Sequence, residues 1–485
     1  MKNERSLRVG LCGIGLEAYW AQFAGLEERL KGYVAQVARR LSRPGVEVVN
    51  LGLANPGLID TPQRSHEAGH QCRREDIDVL FLYATTYALS NTVLPLVQRA
   101  GVPVIVLNLQ PAAAIDYEAF NRRKDRTADR TKMTGEWLAF CSACPVPEMA
   151  NLFARAGIPF HQITGALDDA GTWREIEEWL AAARVRAALS SARLGLMGHY
   201  YGGMLDIMTD VTLVSIAFGT HVELLEVDEL TALCAEVSGA EITQRVEKFA
   251  TAFDVQPDCS ADELRRAART SVALDAFVER HELDALAYYY RGSGNTANED
   301  TMSSIILGTS LLTARHIPVA GEYEVKNALA MKIMDLLGAG GSFTEFYAMD
   351  FNDDLVLMGH DGPGHIAIAE GRTKVRPLEV YHGKVGRGLS VEMSVKHGPV
   401  TLLSVVEDAA SRFRLLAAEG ECVPGPILEI GNTNSRYKFS LGARGFVEAW
   451  NAQGPAHHCA VGVGHVAATL RKTAALVGIG FHQVC

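Results

Sequence analysis

Four apolar runs near the start of the chain set the strongest limit on its fold: LRVGLC (7–12), VEVVNLG (46–52), IDVLFLYA (77–84) and VPVIVLNL (102–109). Between the first two, Trp20, Phe23, Leu26, Leu30, Val34, Val37 and Leu41 recur every three or four residues, which predicts one amphipathic helix. A further helix is predicted near 90–100. Largely apolar runs of strand length separated by helices predict a parallel sheet covered on both faces. Ligands of such sheets gather at the carboxyl ends of the strands. Here those ends carry Gly13 to Trp20, Thr85-Thr86-Tyr87 and Asn108-Leu109-Gln110.

Beyond this sheet, helices are predicted at 146–156 and 173–184 around a strand at 159–164. Residues 190–320 read as a second α/β unit. It holds RLGLMGHYYGGMLDIMTD (193–210), the strand-like LVSIAFG (213–219), helices near 227–252 and 261–281, and DALAYYY (284–290). From about 338 the pattern changes to strand-like runs at 354–359, 377–381, 399–406 and 411–416 with glycines between them, which predicts a β-rich barrel or sandwich. The tail after 465 reads as helical. A chain of 485 residues has room for two to four such domains. Its 48% hydrophobic content is too high for a chain that stays solvated.

Charge and composition exclude several roles. The net charge of −11 opposes phosphate backbones and anionic lipid, so no nucleic-acid partner is expected. No apolar run reaches the roughly 18 residues of a membrane span. The start, MKNERSLRVGLCGIG, reads as a first strand entering a glycine turn rather than a signal peptide. Nine scattered cysteines, an odd number, read as free thiols of a reducing compartment, hence a cytoplasmic chain. The one C-x-x-C, Cys141 to Cys144, lacks the second pair a zinc site needs. Gly10, Gly13 and Gly15 stand in the order G-x-x-G-x-G, and the second strand ends without a ribose-binding acid, so no NAD(P) is expected. Those glycines instead suit a tight turn or close approach to a ligand or helix.

The densest polar cluster lies at 322–365. Glu322 and Glu324 open GEYEVKNALAMKIMDLLG, in which Val325, Leu329, Ile333 and Leu336 form a helical stripe and Gly338 is placed to end it. Glu322 is thereby expected at or just before a helix N-terminus, where the macrodipole favours an ionised carboxylate, either as a cap or as a metal ligand or base. Glu345 follows in an aromatic, apolar run, where a charge is costly unless paired or bound to a metal. His360 ends the apolar run DLVLMGH. Far along the chain comes Gly454-Pro455-Ala456-His457-His458-Cys459. Adjacent histidines on a strand face opposite sides, so one of the two is expected to join a given site. Carboxylates with imidazole suit a hard divalent ion, and Asp350, Asp361, His365 and His465 compete for the same role.

These motifs resemble, in order and spacing, those of L-arabinose isomerases: Pro318-Val319-Ala320-Gly321-Glu322 with Lys326 four positions on, then GGSFTEFY, LVLMGH and PAHH. The resemblance runs from about 315 to 480. It implies an amino-terminal Rossmann-like, flavodoxin-like domain (1–173), a central α/β domain (174–335) and a carboxy-terminal β-barrel-like domain (336–485). It implies one divalent cation, Mn²⁺ or another, on Glu322, Glu345, His360 and His458, with Glu322 and Glu345 also as the catalytic proton carriers. The reaction implied is aldose–ketose isomerisation, one hydrogen moving between C1 and C2 of an open-chain sugar through a cis-enediol. A direct hydride shift is left open, as are an epimerase or a metal-dependent aldolase on the same scaffold and a non-catalytic sugar-binding protein. Family analogy further implies a homo-oligomer, a trimer or hexamer. The amino-terminal half departs from the pattern: GIGLEAYW replaces the family's glycine–serine–glutamine–histidine turn; ALAYYYRGSGNTANED (285–300) is likewise unfamiliar. Glu17, Tyr19, Trp20 and His457 are the residues expected to contact substrate, and Tyr19 and Trp20, at a strand-end turn, are also an exposed aromatic hint of the contact between subunits. Glu17, Thr85, Tyr87, Asn108 and Gln110 offer hydroxyl partners and no cation, so the expected substrate is a free, unphosphorylated sugar of about four to six carbons.

Overall fold

The computed structural model describes residues 5–52, 57–123, 128–378 and 386–485. The chain divides into two compact units, Met1–Ala183 and Arg184–Cys485.

In the first unit, strands β1 (Leu7–Ile14), β2 (Val46–Asn50), β3 (Leu58–Ile59), β4 (Val79–Ala84), β5 (Val104–Gln110) and β6 (Phe160–Ala166) form one parallel sheet. Its order is β2-β1-β4-β5-β6, with β3 beside the end of β1. Every residue of β4 is buried, the burial on both faces that its continuous apolar run predicts. The helix Leu26–Leu41 buries Leu26, Leu30, Val34, Val37 and Leu41. Trp20 lies instead in a separate helix, Ala18–Gln22, and Gly25, at φ +80°, breaks the single helix that the spacing predicts. Gly13 has a packing reason: a Cβ there would sit 2.6 Å from Val34 and 2.9 Å from Thr85. Cys141 and Cys144 are joined as a disulfide in the short turn Cys141–Ala143, which corrects the expectation that all nine are free; the other seven are free thiols.

In the second unit, β7 (Arg193–Gly198), β8 (His221–Leu225), the short β9 (Asp254–Val255), β10 (Ala285–Tyr289) and β11 (Val319–Ala320) come first. Four of them make a parallel sheet of order β11-β10-β7-β8. The predicted strand LVSIAFG is a helix, Val211–Phe218. Apolar content alone does not separate the two conformations in so short a run. The ends decide it: Asp210 accepts from the Thr212 N–H at the start, and Gly219 takes the left-handed conformation after the last turn.

The rest of the unit is β12 (Gly340–Asp350), β13 (Leu355–His360), β14 (Lys374–Leu378), β15 (Gly388–Glu392), β16 (Gly398–Glu407), β17 (Phe413–Cys422), β18 (Thr433–Phe439), β19 (Cys459–Val463) and β20 (Gly480–Gln483). Antiparallel pairing runs β16-β19-β12-β13-β18-β17, and β17 pairs back onto β16, which closes a barrel. Closure removes the exposed edges an open sheet would carry. β20 adds to β17 in parallel, so the tail, read as helical, holds the helix Ala467–Val477 and then a strand. Residues 379–381 of the predicted run 377–381 lie outside the described residues. The helix Val325–Leu336 links β11 to β12 and is buried along nearly its whole length. One core therefore runs from the central sheet (Leu196, Ala287) through this helix (Leu329, Ile333) into the barrel (Phe343, Leu403, Ala460). That continuity fixes the end of β11 against the start of the barrel.

Candidate metal centre

The site begins where β11 stops. Gly321 to Glu324 turn the chain into the buried helix, with Glu322 at φ +61° and Tyr323 at φ +63°. Two consecutive non-glycine residues in the left-handed region cost about 1–2 kcal/mol each. The turn is held by Tyr323 N–H to the Tyr288 carbonyl and Glu324 N–H to the Gly321 carbonyl, both 3.0 Å. Glu324, not Glu322, is the residue at the helix N-cap, and its side chain makes no cap bond. The capping role open to Glu322 in the sequence is thus not the one it plays. Its carboxylate is buried and is felt by Tyr289, whose phenol is pushed up to about 12, by burial first and then by Tyr201 and Glu322.

The barrel supplies the other groups. Phe343 on β12 is fully buried, and its ring lies 4.4 Å from the His360 ring and 4.3 Å from the His458 ring, centroid to centroid. The two imidazoles are 5.0 Å apart. A Cβ at Gly321 would sit 3.2 Å from Phe343 and 3.9 Å from His360 Cε1, so the turn bearing Glu322 abuts this aromatic group. Glu345, two residues beyond Phe343 on the same face of the strand, places Oε2 2.6 Å from His457 Nε2 and 3.8 Å from His458 Nε2. One ligand atom from each of Glu345, His457 and His458 lies within 4.8 Å of the others. The structure therefore brings Glu345 and His458 together, sets His360 beside them through Phe343, and seats Glu322 in the adjoining turn.

His457 joins the cluster as well, although alternation on a strand would separate neighbours. The pair precedes β19, which starts at Cys459, so strand alternation does not apply. Asp206 Oδ2 accepts from the His457 backbone N–H at 2.7 Å, and the Asp206 carbonyl accepts from Lys326 Nζ. The Glu345 hydrogen bond raises the His457 pKa above its ordinary value against the opposing effect of burial.

Sequence reasoning passed over three residues here. Glu324 is fully buried, and its Oε2 meets His458 Nδ1 at 2.5 Å; next to a helical stripe it reads as a cap. Asp206 lies too far away in sequence to be connected. Tyr347 is the extra residue where the β12–β13 register shifts, a bulge that re-aims its side chain. Asn432 Nδ2 donates to the Tyr347 oxygen at 3.0 Å, and burial, then Glu345 and Asp361, raise the phenol's pKa. Of the competing ligands, Asp361 is the one beside the cluster, 3.4 Å from His360 Nδ1. Asp350 caps an exposed turn at the far end of β12, accepting from the N–H groups of Asn352 and Asp353. His365 is buried with its backbone N–H on Ser342 Oγ, and His465 Nε2 pairs with the Gly420 carbonyl. In the first unit Glu17 is exposed. Trp20 donates to Asp60 Oδ2 at 2.7 Å and Tyr19 packs edge-on against Phe23, so neither is the exposed aromatic that was expected.

Two family descriptions match the chain: the L-arabinose isomerase central domain over residues 208–338 and the L-arabinose isomerase C-terminal domain over 340–480. By these domains the chain belongs to the L-arabinose isomerase family. It is similar to the L-arabinose isomerases of Nocardioides sp. (26% identical over 328 residues, 64% of this chain and 63% of the relative) and Clostridium beijerinckii (24% over 327 residues, 64% of each). A third L-arabinose isomerase, from Shewanella baltica, is 26% identical over 307 residues, 59% of this chain and 58% of the relative. Each match covers less than two thirds of the relative's length. Glu322, Glu345, His360 and His458 all lie within the two matched domains of the L-arabinose isomerase family.

Proposed function

We propose that this chain is a divalent-cation-dependent aldose–ketose isomerase acting on a free sugar, as its family suggests. The observation that carries the reading is the 3.8 Å gap between His458 Nε2 and Glu345 Oε2. It is too long for a hydrogen bond and suits two donors sharing one cation at about 2.0–2.2 Å each. The donor set proposed is Glu322, Glu345, His360 and His458, a mixture of carboxylate and imidazole that suits Mn²⁺. When bound, such an ion would polarise the sugar carbonyl and acidify the adjacent C–H.

The chain's own groups then divide the work by access. Glu345 has 22% of its side chain exposed and can reach a sugar C–H, so it is the proposed carrier of the proton between C1 and C2. Glu322 is the second. His457, half exposed with Nε2 on Glu345, is placed to hold a sugar hydroxyl. Glu17, Tyr19 and Trp20, on the first unit, remain proposed substrate contacts.

The strand order of the first sheet supports a Rossmann-like, flavodoxin-like designation for residues 1–173, followed by the central domain at 174–335 and the barrel domain at 336–485. A homo-oligomer, trimer or hexamer, is part of the same reading. So is a cytoplasmic setting, which the seven free cysteines support. Among the described residues no helix is long and apolar enough to cross a membrane.

The test is a panel of free aldoses and ketoses incubated with the protein and Mn²⁺, with products separated by chromatography. The reading predicts ketose and aldose of equal carbon number. A shorter product points to an aldolase, inversion without carbonyl transfer to an epimerase, and binding without turnover to a sugar-binding protein.

A further inference from the structure

We infer that Glu324 is a positioning residue that holds the His458 proton on Nδ1, so that the Nε2 lone pair faces the place beside Glu345. The inference rests on the metal reading above. Glu324 occupies the N-cap position of the helix Val325–Leu336 by its backbone, yet its side chain leaves the cap unmade. Its Oε2 instead lies 2.5 Å from His458 Nδ1, with the two side chains 0% and 1% exposed. The contact needs one proton between the two atoms; where Oε2 accepts, Nδ1 donates, and in a ring carrying that single proton Nε2 bears the lone pair. The opposite tautomer would set two lone pairs against each other in a dry site. Nε2 shares no proton with Glu345, because 3.8 Å is beyond hydrogen-bond reach.

Two further features fit this role. Glu324 is too buried to touch a sugar, so it acts only through His458. Its second oxygen, Oε1, has no hydrogen-bond partner among the described residues. A buried carboxylate with a single partner is costly, and the left-handed pair Glu322 and Tyr323 adds strain to deliver it there. A carboxylate behind a ligating imidazole fixes the ring and raises its basicity, which gives that expense a purpose.

Two measurements test it. Long-range imidazole ¹H–¹⁵N spectra of metal-free, histidine-labelled protein read the tautomer directly, with His458 assigned by its loss in His458→Asn. A protonated Nδ1 and a bare Nε2 are expected, and the reverse pattern overturns the inference. Calorimetry with Mn²⁺ alone should then show binding weakened about 10–100-fold in Glu324→Gln, with Glu324→Asp recovering part of the loss. Wild-type protein that binds no Mn²⁺ overturns the metal reading, and with it the purpose assigned to Glu324. Wild-type binding that Glu324→Gln retains in full overturns the assignment to Glu324 alone.

Discussion

Replacing Phe343 separates packing from positioning at this centre. The ring is fully buried, packs against both His360 and His458 at 4.4 and 4.3 Å, and abuts Gly321. In Phe343→Ala the lost transfer free energy of the ring is about 2 kcal/mol. The vacated space, roughly 100 Å³ at about 24 cal/mol per Å³, adds about 2.4 kcal/mol. The sum, about 4 kcal/mol, falls inside the usual range for a core Phe→Ala change of about 3–5 kcal/mol. Phe343→Leu keeps most of the volume and should cost below about 1.5 kcal/mol. Both variants remove the ring that His360 meets edge-on and His458 meets at a tilt, so both should bind Mn²⁺ at least about tenfold more weakly, an effect of about 1.4 kcal/mol. Urea unfolding gives the stability difference, and calorimetry with Mn²⁺ gives the affinity. If Phe343→Leu loses little stability and binds Mn²⁺ like wild type, the two histidines are held by something other than this ring, and the packing argument for the site is wrong.

Two further outcomes follow from the geometry. Glu345→Gln should fold normally and lower turnover by about 100-fold or more, the usual worth of a positioned acid–base group; near-normal rates would remove Glu345 from the chemistry. Away from the site, His281 places Nδ1 on Glu223 and Nε2 on Glu229, each at 2.9 Å. Burial works against its charge, but those hydrogen bonds outweigh it and raise its pKa. Its stabilisation is therefore fully present below the unfolded value of about 6.5 and is lost as pH rises through the folded pKa. Melting temperature against pH should show that loss in wild type and not in His281→Gln; superimposable profiles would contradict it.

The parallel sheet was legible in the sequence because its central strands are buried on both faces, so β4 is an unbroken apolar run and β1 and β5 are interrupted only by Arg8 and by Asn108 and Gln110. The helix Val211–Phe218 was not, because eight residues that are nearly all apolar carry no period, and only Asp210 and Gly219 at its ends identify it. Much of the barrel was also hidden. β12 runs from Gly340 to Asp350 through a polar, bulged stretch with no clean alternation. At the site, Glu345 and His360 stood out because charge and imidazole are rare in apolar runs, whereas His458 was singled out from its neighbour His457 only by the resemblance to the family. Glu324 and Asp206 did not stand out. Their roles depend on contacts spanning 134 and 251 positions, to His458 and His457 respectively, and no local spacing encodes such a contact.

The central claim is that Glu322, Glu345, His360 and His458 hold one divalent cation, and crystals grown with Mn²⁺ test it most directly through the anomalous signal of the ion. The account predicts one peak between Glu345 Oε2 and His458 Nε2, within about 2.0–2.6 Å of a donor atom from each of the four side chains. A peak on His457 in place of His360 and Glu322, or a fully loaded protein with no peak in this turn-and-barrel site, would contradict it.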